Sequence, residues 1–494
     1  MRYAPPGMCL NDFTVLAGPD GYTVLHLQGP WTAPFDHLRM ETSYGRATST
    51  DLVRWQTEGT AFGVGPPGRF DQAAVWTMHA IPHGDGLAML YTGVGCVTAD
   101  GWPVQAVGLA RSHRRDGTGW LRHGTVPVSC ADPRWYRTGD GMGWRDPFVV
   151  RDDEGPGWAM AVCAGDVSLP VERAGCVALA TSPDLEHWQA HPPLVSPGDR
   201  DHLECPVLER VADGWLLFTS TGGIGGGRVD TWAAPWLRGP WRRIGPLAPV
   251  GVYAPRVVTA PDGARVVLHT TPRRVGLSDR AAYCRGMLAQ PKALAVPGAG
   301  PPRLEWWPGL DRWLGPPVSG RPVPDGCADV AVRHDPEALD GSAPGGPGGA
   351  GGSGARGGAV RTEVVLRAEG EAPALAVGCQ GRAVWVAGPG GGPLAGAEAA
   401  RPPRRLRILT AGEYVEVYAD DAFLVTALCY TGRPVPWTVT RTPVADAAGG
   451  EPAAGPWAGT AATKPEPVPV RPLTPPYPDR DDASALWPGP RNPG

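Results

Sequence analysis

Five short apolar stretches in the first part of the chain each open at a glycine: Gly21-Tyr22-Thr23-Val24-Leu25-His26-Leu27, Gly86-Leu87-Ala88-Met89-Leu90-Tyr91, Gly157-Trp158-Ala159-Met160-Ala161-Val162, Gly214-Trp215-Leu216-Leu217-Phe218 and Gly263-Ala264-Arg265-Val266-Val267-Leu268. They recur about every 50–70 residues, a period at which one unit holds several strands and cannot bury its faces alone. Ahead of the first, third and fourth glycines stand Asp12, Asp146 and Glu204, in the contexts Asn11-Asp12, Arg145-Asp146-Pro147 and Glu204-Cys205-Pro206. Acids at one structural position in different units would be aimed at a shared axis. The pattern predicts an active site built from carboxylates.

A second repeat runs out of phase with the first. Ala47-Thr48-Ser49-Thr50-Asp51-Leu52-Val53-Arg54-Trp55 returns as Ala180-Thr181-Ser182-Pro183-Asp184-Leu185-Glu186-His187-Trp188, with weaker copies ending at Trp120 and Trp241. Each reads as a strand, a Ser/Asp turn, and a strand led by tryptophan. Long helical periodicity is lacking. Together the two repeats predict an all-β chain that begins with a five-bladed β-propeller over residues 1–300.

Past that point the character changes. Residues 301–361 read as a Pro/Gly-rich connection, and 341–358 are almost wholly Gly, Ala, Ser and Pro, a composition unable to offset its ordering entropy by burial. Alternating strands then resume over 362–440, from Thr362-Glu363-Val364 to Phe423-Leu424-Val425, and predict a C-terminal β-sandwich. Residues 441–494 read as a disordered Pro/Ala-rich tail.

Charge excludes some partners. With 45 basic and 49 acidic residues, net −4, there is no basic tract for nucleic acid or an anionic membrane surface. No apolar run reaches the length of a membrane span. The ten cysteines are scattered singly, with no C-x-x-C pair, so neither a zinc knuckle nor a redox motif is indicated. Scattered thiols and an N-terminus without an apolar leader point to the cytoplasm. No metal or cofactor is expected.

Taken alone, each acid is an ordinary turn or ion-pair residue. Taken together, on the innermost strands of three blades, like charges would raise one another's pKa, which suits an acid and a base held side by side. Arg145 would offset part of the repulsion.

At these residues the chain resembles glycoside hydrolase family 32, the β-fructosidases. Leu10-Asn11-Asp12 with Gly18-Pro19-Asp20-Gly21-Tyr22 through Gln28, Trp144-Arg145-Asp146-Pro147-Phe148, and Glu204-Cys205-Pro206 are similar to the family's three acidic blocks. Asp51-Leu52-Val53-Arg54-Trp55, Tyr253-Ala254-Pro255 and the strands from Leu406 to Tyr418 resemble further ones. The resemblance implies Asp12 as nucleophile, Asp146 as transition-state stabiliser and Glu204 as acid/base, its pKa raised by the two aspartates. It also implies a carbohydrate substrate met by Asn11, Gln28, Trp31, Trp76, Thr77, Arg145 and Tyr253. The chain departs from the family where Phe13-Thr14-Val15 follow the nucleophile, where Trp76-Thr77 replace a Phe-Ser pair, and at Ser43-Tyr44-Gly45-Arg46-Ala47. The expected activity is retaining hydrolysis of sucrose or fructan-type oligosaccharides. The alternatives are an inverting arabinosidase or xylosidase on the same blades, a fructosyltransferase, and a non-catalytic carbohydrate-binding propeller.

Overall fold

A computed structural model describes residues 3–30, 41–99, 101–139, 143–222, 227–248, 251–274, 278–279, 283–298, 300–320, 323, 326–332, 361–368, 373–388, 392–430, 437–444 and 466–473. They fall into two compact units, Met1–Val275 with Ala282–Trp307, and Gly276–Ala281 with Pro308–Pro475.

The first unit is a five-bladed β-propeller. Blade 1 holds β1 (Met8–Gly18), β2 (Gly21–Pro30), β3 (Ser43–Ser49) and β4 (Gln56–Gly63); blade 2 holds β5 (Ala74–His83), β6 (Gly86–Val97), β7 (Pro103–Ser112) and β8 (Leu121–Arg122). Blade 3 comprises β9 (Arg145–Arg151), β10 (Trp158–Gly165), β11 (Gly175–Ser182) and β12 (Gln189–Val195). In blade 4 they are β13 (Glu204–Val211), β14 (Gly214–Thr221), β15 (Arg228–Ala234) and β16 (Arg242–Pro246). Blade 5 is β17 (Tyr253–Thr259), β18 (Arg265–Arg274), β19 (Tyr283–Leu288), β20 (Lys292–Ala295) and β21 (Arg303–Glu305). The first strands close a ring: β1 touches β5, β5 touches β9, β9 touches β13, β13 touches β17, and β17 touches β1.

The glycine-led runs are the second strands of the blades, covered on both faces by neighbouring blades. Trp158–Gly165 and Gly214–Thr221 are buried throughout, which is why they are apolar without alternation. The two repeats meet at one joint. Gly157 has φ 101° and Gly214 φ 135°. A Cβ at either would collide with a carbonyl at the end of the third strand, Ser182 O or Ala234 O. The Ser/Asp turn starts at that carbonyl. Ser182 Oγ accepts the N–H groups of Asp184 (3.2 Å) and Leu185 (2.8 Å), and Asp184 Oδ1 accepts those of Glu186 and His187 (both 2.9 Å). Ser49 and Asp51 repeat the arrangement in blade 1. Leu52 (φ 65°) and Leu185 (φ 72°) take the left-handed bend. The tryptophan that leads the outer strand then ties the turn down through its indole N–H, from Trp55 to Leu52 O (3.2 Å), Trp120 to Gly117 O (2.8 Å), Trp188 to Leu185 O (2.8 Å) and Trp241 to Leu237 O (3.0 Å).

Every innermost strand carries a β-bulge at one level. Leu10 and Phe13 pair with Gln28 and His26, so Asn11 and Asp12 together oppose Leu27. The same two-against-one count sets Trp76 and Thr77 opposite Thr92, Asp146 and Pro147 opposite Val162, Cys205 and Pro206 opposite Thr219, and Ala254 and Pro255 opposite His269.

The second unit is a sandwich. One sheet runs β32 (Val470–Pro472), β22 (Gly326–Ala331), β27 (Arg405–Ala411), β28 (Tyr414–Ala419), β29 (Ala422–Leu428). The other runs β26 (Pro393–Glu398), β25 (Ala383–Ala387), β24 (Pro373–Gln380), β23 (Arg361–Ala368), β30 (Trp437–Val444), β31 (Glu466–Pro467). Their inner faces share a core containing Val330, Leu375, Val384, Ile408, Val417 and Val425. Three of these strands correct the compositional reading. β22 lies inside the stretch taken as connection, and β31 with β32 lies inside the stretch taken as disordered tail. Val330, Val468 and Val470 supply enough apolar surface to order them in that core. The Gly/Ser/Pro tract at 341–358 lies outside the described residues.

The joint between the repeats yields a direct expectation. Gly157→Ala, strained by its φ and opposed by Ser182 O, should lower unfolding free energy by about 1–3 kcal/mol in denaturant titration; an unchanged midpoint would remove the joint from the account.

Candidate active site

The bulges place the acids. A bulge leaves its extra residue's N–H outside the ladder, and a buried N–H needs a partner. Here the neighbouring blade supplies it. Asp146 N–H donates to Thr92 Oγ1 of blade 2 (2.9 Å), Cys205 N–H to Asp146 Oδ2 of blade 3 (3.0 Å), and Ala254 N–H to Ser220 Oγ of blade 4 (3.0 Å). These three residues carry positive φ, at 59°, 47° and 47°. The inner strands of blades 3, 4 and 5 are thus each pinned to the preceding blade at the level of the acids.

Asp12, Asp146 and Cys205 converge. One side-chain oxygen or sulfur from each lies within 4.8 Å of the others, and all three residues are buried. Thr77 donates its hydroxyl to Asp12 Oδ2. Arg145 links the remaining acid: its Nη2 donates to Glu204 Oε1 at 2.8 Å, and its Nε stands 3.8 Å from Asp146 Oδ2. Tyr253 donates its hydroxyl to Glu204 Oε2 at 2.6 Å. The three acids, Arg145, Thr77 and Tyr253 therefore form one contact-linked group across blades 1, 2, 3, 4 and 5.

Two expectations are corrected. The acids do not share one structural position. Glu204 sits just before its bulge, Asp146 is the first bulge residue and Asp12 the second. Distance to the next glycine misreads this because the connecting turns differ: Gly18 pairs with Gly21 and Val211 with Gly214, whereas Arg151 pairs with Trp158. Nor is Glu204 the carboxyl with the raised pKa. Burial pushes it up, but the Arg145 charge and the hydrogen bonds from Tyr253 and Arg145 outweigh burial and bring it to about 2. The raised group is Asp146, through burial first, with the charge of Glu204 adding to it against Arg145.

The other expected residues divide. Asn11 is buried and donates to Glu41 Oε1 at 3.3 Å. Gln28 donates to Ser43 Oγ (3.2 Å) and Thr60 Oγ1 (3.0 Å), within its own blade. Trp76 flanks Thr77 on the bulge, half-buried, and its carbonyl accepts the Tyr44 hydroxyl at 2.5 Å. Trp31 lies outside the described residues. His79, not among the expected site residues, accepts the Val149 N–H (3.0 Å) and stacks on Phe148, and burial lowers its pKa to about 3, so it is a neutral structural group. Sequence reasoning passed over Thr92, Glu41 and Arg256. Only Arg256 had a signal, a cation directly after the Tyr253-Ala254-Pro255 block on an inner strand.

Clustered carboxylates on inner strands can protonate a leaving group on one side and stabilise positive charge on the other. The comparisons agree with that chemistry. Residues 3–229 match the family described as Glycosyl hydrolases family 32 N-terminal domain. That segment carries the N-terminal domain of glycosyl hydrolase family 32. The chain is 28% identical over 290 residues to the raffinose invertase of Escherichia coli, covering 54% of this chain and 55% of that protein, so the match spans about half the length of that curated relative. In fold the chain is similar to the family 32 β-fructofuranosidase BmSUC1 of Bombyx mori, with TM-score 0.67, 16% identity, 95% of this chain covered and 92% of that one. It is likewise similar to fructan 1-exohydrolase IIa of Cichorium intybus, with TM-score 0.62, 17% identity, and coverage of 88% and 93%. Among the described residues no helix is long and apolar enough to cross a membrane.

The Glu204 ion pair sets a pH dependence. A carboxyl held at about 2, below its unfolded value, contributes stability that is present above about pH 4.3 and lost as pH falls through about 2. Melting curves should therefore show the gap between the native protein and Glu204→Gln shrinking steadily from pH 5 to pH 2. A constant gap would mean that Glu204 is not held by Arg145.

Proposed function

We propose that this chain is a retaining β-fructosidase that releases fructose from sucrose or fructan-type oligosaccharides. The observation that carries the reading is the convergence of Asp12 and Asp146 within 4.8 Å while Arg145 joins Asp146 to Glu204. The raffinose invertase and fructofuranosidase relatives support the choice of sugar.

Cleavage of a fructosyl bond passes through an oxocarbenium-like transition state, which needs a proton on the leaving oxygen and negative charge beneath the anomeric carbon. Asp12 attacks that carbon to form a glycosyl-enzyme ester, and the Thr77 hydroxyl fixes the attacking carboxylate. Glu204 protonates the leaving oxygen and then takes the proton from water that cleaves the ester. Asp146, oriented by Arg145 and by the Cys205 N–H, holds ring hydroxyls through bonds that tighten at the transition state. Glu204 must be protonated in the complex although Arg145 and Tyr253 hold it near 2 in the free protein. A bound sugar displaces water and adds to the burial that already pushes this carboxyl upward, so the proton is taken up with substrate.

Hydrolysis of sucrose, inulin and levan, set against aryl arabinofuranosides, tests the sugar; NMR of the first-formed anomer tests retention. The reading expects fructose with retained configuration. Inversion, or preference for the arabinofuranoside, would replace it with the inverting reading. Asp12→Asn and Glu204→Gln should each lower kcat about 100-fold or more with the fold intact by circular dichroism. Tyr253→Phe removes a bond that lowers Glu204, so the basic limb of kcat/KM should move to higher pH; a stationary limb would take the acid/base role from Glu204.

A further inference from the structure

Arg256 is a buried cation, 4% exposed, on innermost strand β17. It follows the blade 5 bulge, at the level held by Phe13, Met78, Phe148 and Val207 in the other blades. Its Nη1 donates to Pro255 O at 2.8 Å, while Nε meets no hydrogen-bond acceptor. Its guanidinium carbon stands 6.0 Å from the Phe13 ring and 5.7 Å from the Phe148 ring. These two rings directly follow the catalytic bulges of blades 1 and 3. A desolvated guanidinium is costly, and two aromatic faces recover only part of the cost. A chain needing only to fill this volume would place an apolar side chain here, as blades 1 to 4 do.

We propose that Arg256 is a positioning residue for the glycosidase reaction, a buried cation whose field keeps Asp12 ionised as the nucleophile. The inference rests on the reading of Asp12 given above. Among the described residues, the charged and titratable groups on the strands around Asp12 include His26 on β2, His79 on β5, Arg145 and Asp146 on β9, Glu204 and Cys205 on β13, Tyr253 and Arg256 on β17, and His269 and Arg273 on β18, with buried Glu41 bonded to the neighbouring Asn11. Arg145 is committed to Glu204. Burial depresses His26 to about 4 and His79 to about 3, and it takes His269 well below its ordinary value, so none of the three is a cation at working pH. Burial likewise pulls Arg256 down, and the groups that act against burial are Cys205, Asp12 and Asp146. The aspartates and Arg256 therefore stabilise one another's charge across a medium that screens weakly. Of the two arginines that flank the inner-strand bulges, Arg145 holds the acid/base and Arg256 the nucleophile.

The test uses the full chain with Arg256→Gln and Arg256→Lys, plus Arg256→Met should the glutamine variant fail to fold. The neutral variant should shift the acid limb of kcat/KM for the hydrolysed fructoside upward by about one pH unit or more, lowering kcat more than it raises KM. Lysine should return the limb toward its original position. A folded neutral variant with an unmoved acid limb overturns the proposal. A second readout needs no turnover: melting temperatures of Arg256→Gln, Asp12→Asn and the double variant at neutral pH. Arg256→Gln should cost less in the Asp12→Asn background than in the native one. Additive effects overturn the proposal, whereas absence of fructoside hydrolysis by the native protein overturns the glycosidase reading and leaves this cycle to judge Arg256.

Discussion

The site depends on a single backbone constraint: every innermost strand breaks register at the same level. A bulge turns side chains that would alternate along a strand into a cluster at one end of the channel, and it frees an N–H that must be satisfied elsewhere. In blades 3, 4 and 5 that N–H goes to a side chain of the preceding blade. One of the receiving groups is Asp146 itself. The fold and the placement of Asp146 are therefore the same set of hydrogen bonds, and the positive φ of Asp146 is held by partners on both sides.

Electrostatics then differentiates the three acids. Arg145 and Tyr253 take Glu204 far below its ordinary range, while burial and the Glu204 charge leave Asp146 above its own. Three carboxylates with different neighbours can serve three roles in one reaction, and groups this close titrate as a set rather than singly. The cations matter as much as the acids. Arg145 and Arg256 are both buried and approach the cluster from different blades.

Much of this was legible in the chain because the repeats are joints. Gly157 is glycine because Ser182 O occupies the space of a Cβ, and Ser182 starts the turn that Trp188 closes. Apolar runs such as Gly214-Trp215-Leu216-Leu217-Phe218 mark strands buried on both faces. The register of the acids was not legible, because turn length varies between Arg151 and Trp158 while the bulge does not. Thr92 was invisible for a similar reason: a threonine within an apolar strand carries no mark of the bulged N–H it will accept. In the second unit, Val468 and Val470 lie among prolines and were lost to the composition around them, though two valines suffice to seat a short strand on a prepared core.

The central claim is that Asp12 is the group that bonds to the sugar. Incubation with a slowly turned-over fructosyl donor, acid quench and peptide mass mapping would test it directly. The account predicts one hexosyl addition confined to the peptide that contains Asp12. An adduct on the peptide holding Asp146 or Glu204, or turnover at full rate with no adduct at any quench time, would contradict it.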